Sequence, residues 1–329
     1  MKLQILIPHY KEPESTIKNL LDSIELQQNV NRDDFSVIIV NDGDDLLLTK
    51  EFLNRYNFQL EYIVHKHSGV SSTRNALLQL AKAEYVMFCD ADDMFFDIRG
   101  LGLLINTLQE NPCDMLVSGF IEEIKDVDNK IVYVNHAEEV HPFIHGKIFR
   151  RDFLIQNKIY FYEELQFNED VVFSYLAHSL TTRTNFNPEK FYLWRWNQGS
   201  TTRQEKDWPY CTAVQRMEAL DLLVDELNQR QLIEARNYFI LLTIYETYYN
   251  MAEPGWQNPI IQQKYKKKTE LEMKRFWLKW KDIYEKEISL EYKNNIAFLS
   301  KKKALEKVDI VFENITFNNW LQYIESLKE

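Results

Sequence analysis

The chain has 329 residues, 45% of them hydrophobic and 27% charged, with only 8 Gly and 8 Pro. That length predicts about two domains, and the composition excludes disordered, collagen-like and low-complexity classes. The net charge of -11 argues against a nucleic-acid partner.

Five short apolar bursts predict strands at residues 3–7, 36–40, 61–64, 85–89 and 115–118. Amphipathic stretches at 14–27, 46–56, 71–82 and 99–110 predict the helices between them. Strands buried on both faces and alternating with helices imply a parallel sheet of right-handed βαβ units. Asn129 and its polar neighbours predict a turn joining 120–125 to 131–134 as a hairpin. Helical segments are expected at 146–157 and from Glu169, with a strand at 191–196. Beyond Asp207 helical periodicity dominates, most clearly at 208–228, 233–251 and 262–286, with a break at Pro254-Gly255. The fold class is thus α/β to about residue 205, followed by an all-helical extension over 206–329.

Cys89, Cys113 and Cys211 match neither a disulfide framework nor a CxxC zinc pattern, which fits a reducing compartment. The first apolar stretch ends at Pro8, too short for a signal-peptide core. No apolar run approaches the roughly 18 residues of a membrane span. A cytoplasmic location is expected. Residues 264–307 carry a net charge of +7, leaving -18 on the rest. A solvated helical face laced with i,i+4 pairs is the ordinary reading. Phe276, Trp277 and Trp280 among the lysines also admit contact with a membrane surface, which would place the protein at the inner face.

Three polar clusters follow three expected strands: Pro8-His9-Tyr10, Asn41-Asp42-Gly43-Asp44-Asp45 and Asp90-Ala91-Asp92-Asp93. Open parallel sheets bind ligands outside the carboxyl ends of their strands, so these clusters belong to one acidic pocket. Carboxylates this dense raise one another's pKa unless a cation neutralises them. A hard divalent ion does so while taking substrate phosphates as further ligands. Asp90 and Asp92 project the same way from an extended segment, one towards a nucleotide and the other towards the metal. The stretch His67-Ser68-Gly69-Val70-Ser71-Ser72-Thr73-Arg74-Asn75 sets Gly and Ser at a helix start, where free N–H groups favour anions. Glu169 and Asp170 open a helix otherwise apolar, a position that also suits the helix dipole. His136, His141 and His145 are spaced as loop or core histidines rather than as a zinc site. Trp194 and Trp196 alternate on a strand and suit either core packing or sugar stacking. The stripe Tyr238, Phe239, Tyr245, Tyr248 and Tyr249 reads as helix-bundle core.

The three clusters, the 67–75 stretch, Gly146-Lys147-Ile148-Phe149-Arg150-Arg151, Asn168-Glu169-Asp170-Val171-Val172-Phe173 and Arg195-Trp196-Asn197-Gln198-Gly199-Ser200-Thr201-Thr202 together resemble family 2 glycosyltransferases with the GT-A fold. The likeness covers 1–205, with a nucleotide-sugar half at 1–118 and an acceptor half at 119–205. It implies that Pro8, Tyr10, Asp42 and Arg74 line a uridine site, with Asp42 on the base. It implies Asp90 on the ribose or sugar side, Asp92 as ligand of Mn²⁺ or Mg²⁺, and Asp93 against the donor sugar. Asp170 would be the catalytic base, with Glu169 orienting it or binding acceptor. Arg195 and the Ser200-Thr201 loop would close over the diphosphate. The implied reaction is inverting, metal-dependent transfer of a hexose or N-acetylhexosamine from a UDP-sugar to a hydroxyl of a glycan or other acceptor. Asp44, His67 and Asn168 depart from the family's common Ser, Asn and Gly.

The residue types suit that chemistry in their own right. A carboxylate deprotonates the attacking hydroxyl. A cation and Arg or N–H donors stabilise the leaving diphosphate. Two other classes compete. A nucleotidyltransferase could use the same acidic edge, but no Gly/Lys-rich phosphate loop follows the first strand. A non-catalytic nucleotide-sugar-binding scaffold has no need of both Asp92 and Asp170.

Overall fold

The computed structural model describes residues 1–126, 128–139, 142–197, 208–250, 266–307 and 317–328. The chain divides into two compact units, Met1–Ser200 and Thr201–Glu329.

The first unit is built on nine strands: β1 (Leu3–His9), β2 (Phe35–Asn41), β3 (Gln59–Val64), β4 (Tyr85–Phe88), β5 (Met94–Phe95), β6 (Met115–Lys125), β7 (Ile131–His136), β8 (Lys147–Arg150) and β9 (Thr184–Trp194). Their order is β3-β2-β1-β4-β8-β6-β9-β5, with β7 on β6. β3, β2, β1 and β4 run parallel, β8 is antiparallel to both its neighbours, and β6 and β9 are parallel. Six helices accompany them: α1 (Glu14–Glu25), α2 (Lys50–Leu53), α3 (Val70–Leu80), α4 (Gly100–Glu110), α5 (Arg151–Gln156) and α6 (Glu169–Leu180).

β2 is buried along its whole length, as a strand covered on both faces must be. β3 alternates exposed and half-buried residues because it is an edge. On α1, Ile17, Leu20, Leu21 and Ile24 recur at i, i+3, i+4 and i+7 and form the face turned to the core.

Four expectations are corrected. The helix expected over 146–157 is strand β8 followed by the short α5. Ile148 and Phe149 fill the slot between β4 and β6, and a buried apolar run does not distinguish strand from helix by period. Gly146 is needed at the entry to β8. It has φ +69°, and a Cβ there would meet the Ser118 carbonyl oxygen at 2.6 Å. The helix expected over 46–56 shrinks to α2, capped by Thr49 Oγ1, which accepts from Phe52 N. β6 is a single strand through 115–125, joining two expected pieces, and β9 begins seven residues earlier than expected.

The second unit contains α7 (Trp208–Gln229), α8 (Ile233–Asn250), α9 (Lys267–Lys286), α10 (Leu290–Lys307) and α11 (Phe317–Ser326). Its core includes Leu223, Val224, Leu227, Ile240, Leu241, Ile244, Tyr245 and Met273. Phe276, Trp277 and Trp280 are buried with them, so they are packing residues and not membrane anchors. Part of the positive charge is matched internally. Lys279 pairs with Asp221 and Asp225, and the Trp280 indole donates to Asp221 at 2.7 Å. No helix among the described residues is long and apolar enough to cross a membrane. Pro254-Gly255 and His141 lie outside the described residues.

Candidate active site

Parallel pairing sets His9 opposite Asn41 and Leu6 opposite Phe88, so the exits of β1, β2 and β4 share one edge of the sheet. His9 is buried there. Its Nδ1 accepts from Asn41 Nδ2 at 3.1 Å and its Nε2 donates to the Glu12 carbonyl at 2.8 Å. Asn41 Oδ1 accepts from the backbone N–H of Gly43 and Asp44, which turns the chain sharply after β2. Gly43 has φ +74°, and a Cβ on it would lie 2.3 Å from His67 N, so only glycine fits.

Asp42 then pins the loop before α3. Its carboxylate accepts from Ser68 N at 2.7 Å, Gly69 N at 3.0 Å and His67 Nδ1 at 2.9 Å. The His67 ring so held stacks on Tyr10, with centroids 4.6 Å apart. Tyr10 is 37% exposed, which leaves a flat aromatic surface beside half-buried Pro8. Asp44, at the position where the family commonly has Ser, accepts from Lys11 N at 2.7 Å and Asn41 Nδ2 at 3.1 Å.

Arg74 leaves α3 and is only 5% exposed. It joins two carboxylates: Nη2 donates to Asp90 Oδ1 at 2.8 Å and Nη1 to Glu169 Oε1 at 2.6 Å. Its guanidinium lies 5.3 Å from the centre of the Phe161 ring. Burial would lower the Arg74 pKa, but Asp90 and Glu169 outweigh it and hold the group above its ordinary value. Burial likewise opposes the charge on Asp90, and Arg74 and His145 outweigh it, keeping this carboxyl below the usual range.

Asp92 Oδ2 accepts from Asn197 Nδ2 at 2.9 Å. Asp93 is wholly buried, and its carboxylate accepts from the Tyr192 hydroxyl and, at 2.9 Å, from Arg195 N. Asp93 thereby anchors the end of β9. Burial first, then Asp92 and Asp90, push the Asp93 pKa well up. Ligand atoms of Asp90, Asp93 and His145 all lie within 4.8 Å of one another. Two carboxylates and an imidazole, with His145 Nδ1 buried and unbonded, fit a divalent transition ion. Burial pushes the His145 pKa down to about 4, so the ring is neutral near pH 7, the form that binds metals. The sequence placed the metal on Asp92 and read His145 as a core or loop residue. The structure adds His145 to the carboxylates. His136 instead pairs with Glu122 at 2.9 Å and stacks on Phe120.

Asn168 caps α6 in a left-handed conformation, φ 62° and ψ 20°. Gly takes this conformation without strain, and Asn is among the few other residues that adopt it readily. The turn delivers Glu169 to Arg74 and sets half-buried Asp170 beside it. Burial, then Glu169, push the Asp170 pKa up to about 7, against the opposing charges of Arg74 and Lys147.

Two residues received no role in the sequence reading. Lys147, 1% exposed, donates to the Phe143 carbonyl, and burial lowers its pKa to about 7 with Asp170 as the countering charge. Glu12 accepts from Tyr10 N at 2.6 Å. Burial pushes it up to about 7, with Asp92 and Asp90 adding repulsion. Its position three residues past His9, at the exit of β1, was the available signal. Ser200 and Thr201 lie outside the described residues.

A mainly parallel sheet with carboxylate-bearing loops gathered at its strand ends is the GT-A architecture, and a helical part follows it. Residues 4–164, just under half of the chain, match Glycosyl transferase family 2. A relative is the poly(ribitol-phosphate) beta-N-acetylglucosaminyltransferase TarS of Staphylococcus aureus, 24% identical over 269 residues, 77% of this chain and 45% of that protein. Another is the poly(ribitol-phosphate) beta-glucosyltransferase of Bacillus spizizenii, 27% identical over 59% of this chain and 32% of that protein. The chain therefore spans less than half the length of these relatives. The solved structure of S. aureus TarS residues 1–349 with UDP-GlcNAc has the same fold. Its TM-score is 0.64 at 18% identity, covering 96% of this chain and 95% of that one.

Proposed function

We propose that the chain transfers a hexose or N-acetylhexosamine from a UDP-sugar to an acceptor hydroxyl, with inversion and with the help of Mn²⁺ or Mg²⁺. The observation that carries this reading is Arg74. It ties the carboxylate cluster at the end of β4 to the start of α6, so a phosphate-binding edge and an acid–base pair share one cleft. UDP-GlcNAc in the similar structure, and the glucosyl and N-acetylglucosaminyl relatives, support the donor class. The relatives' poly(ribitol phosphate) supports a hydroxyl on a polyol or glycan chain as acceptor.

Tyr10 stacks on the uracil, with Pro8 beside it. Asp42 reads the base and also holds the 67–69 loop against it. Asp90, Asp92 and Asp93 would hold the cation, which would supply charge neutralisation for the leaving diphosphate. Asp170 accepts the proton of the acceptor hydroxyl while the oxygen attacks the anomeric carbon and the bond to the diphosphate breaks. One displacement with one base inverts the configuration. A base with a pKa of about 7 is matched to work near neutral pH. Glu169, fixed by Arg74, orients Asp170 and raises its basicity. Arg195, with its backbone fastened to Asp93, binds the diphosphate, a role the resemblance also gives to Ser200 and Thr201.

Contact with an anionic membrane surface from the cytoplasmic side rests on the lysines of 264–307 alone, because the aromatics among them are core. The test of the activity is UDP release from UDP-GlcNAc and UDP-glucose with Mn²⁺, with and without short polyol-phosphate or glycan acceptors. Acceptor-stimulated release supports the reading, and no release from either donor overturns it.

A further inference from the structure

We infer that His145 is a direct ligand of the divalent cation through Nδ1, together with Asp90 and Asp93, and that it makes the site prefer Mn²⁺ to Mg²⁺. This extends the proposed metal requirement to a residue that neither the sequence motifs nor the DxD spacing includes.

Three observations carry it. First, Nδ1 of His145 is buried and bonded to nothing in a side chain that is 95% buried. Buried polar atoms in folded proteins nearly always have a partner, so an orphan facing carboxylates calls for one. Second, the spacing is wrong for a hydrogen bond and right for an ion. Nδ1 lies 3.9 Å from Asp93 Oδ2, beyond hydrogen-bond reach. Two donors each about 2.1 Å from one ion are about 3 to 4.2 Å apart in octahedral geometry. Third, the ring is held in place: its centroid lies 4.7 Å from that of Trp194 and 5.2 Å from that of Tyr192. A ligand locked by its surroundings loses little freedom on binding an ion.

The preference follows from ligand chemistry. Mg²⁺ takes oxygen ligands and keeps its waters. Mn²⁺ also favours oxygen but opens the first-row series whose ions accept an imidazole nitrogen, so one imidazole among carboxylates tips the site towards Mn²⁺. Asp92, bonded to Asn197 and nearer to solvent than Asp93, is expected to meet the ion's waters on the diphosphate side.

The test uses the full chain with Mn²⁺, with and without UDP. Pulsed electron paramagnetic resonance on the wild type is expected to show nitrogen coupling from a bound imidazole. His145→Gln is expected to lose that coupling, to bind Mn²⁺ about tenfold or more weakly by calorimetry, and to change Mg²⁺ affinity far less. Absence of nitrogen coupling in the wild type overturns the inference, as does its persistence in His145→Gln or unchanged Mn²⁺ affinity in that variant. Failure to bind Mn²⁺ under both conditions also overturns it. If His145→Gln does not fold, the wild-type spectrum decides. The outcome is separable from the transferase reading. Nitrogen-coupled Mn²⁺ without turnover of any UDP-sugar sinks the activity alone, and metal-dependent turnover without nitrogen coupling sinks only the role of His145.

Discussion

The exits of β1, β2 and β4 and the start of α6 are both rich in carboxylates, yet they make them useful in different ways. At the strand exits, polar groups are tied into a lattice of local hydrogen bonds. Asp42 holds 67–69, Asn41 turns the chain at Gly43, and Asp44 fastens Lys11. On the proposed reading, that edge receives a ligand brought from outside. At α6 the chemistry is made by burial. Asp170 and Lys147 are both moved to about 7 by the low dielectric around them, each as the other's opposing charge. On the same reading, binding comes from geometry written in the loops, and reactivity from the way distant segments enclose a charge.

This contrast is open to attack at several points. The largest expected effect is at α6. Asp170→Asn is near-isosteric and is expected to lower transfer by about 10²–10⁴-fold while leaving UDP affinity and melting temperature near wild type. A near wild-type rate would move the base elsewhere, and loss of folding would make Asp170 a helix-dipole residue. At the strand edge the loss falls on binding instead. Asp92→Asn is expected to weaken metal-dependent UDP binding about tenfold or more and to leave metal-independent binding unchanged, as calorimetry would show.

A smaller effect separates burial from contact. Activity requires ionised Asp170, so kcat/KM is expected to be full above about pH 7 and to fall about tenfold per unit below it. Lys147 lowers the Asp170 pKa, so Lys147→Met is expected to move the acidic limb to higher pH with the fold retained. An unmoved limb would mean that the two charges are not coupled. Smallest is Asn168. Asn168→Gly keeps the left-handed cap and is expected to change stability by only tenths of a kcal/mol. Asn168→Ala is expected to cost about 1–2 kcal/mol in chemical denaturation.

The same contrast explains what could be read in the sequence. β1, β2 and β4 announce themselves as continuous apolar runs ending in polar clusters, and the parallel-sheet rule alone collects those clusters at one edge. β8 does not, because 147–150 is as apolar as a helix face and only its slot between β4 and β6 makes it a strand. His145 looked like a spare histidine because its carboxylates come from a loop more than fifty residues away in the chain. Lys147 lay in one of the motifs of the resemblance but received no role, since a lysine in a sequence is exposed by default and its burial is a property of the packed whole. The same packing turned Phe276, Trp277 and Trp280 from candidate anchors into core.

The central claim is that the strand edge receives a nucleoside diphosphate through a cation. Calorimetric titration of UDP into the full chain, once with Mn²⁺ and once after chelation with EDTA, tests it most directly. Tight binding with Mn²⁺ that collapses after chelation is the expected result. Equal affinity under the two conditions would contradict the account.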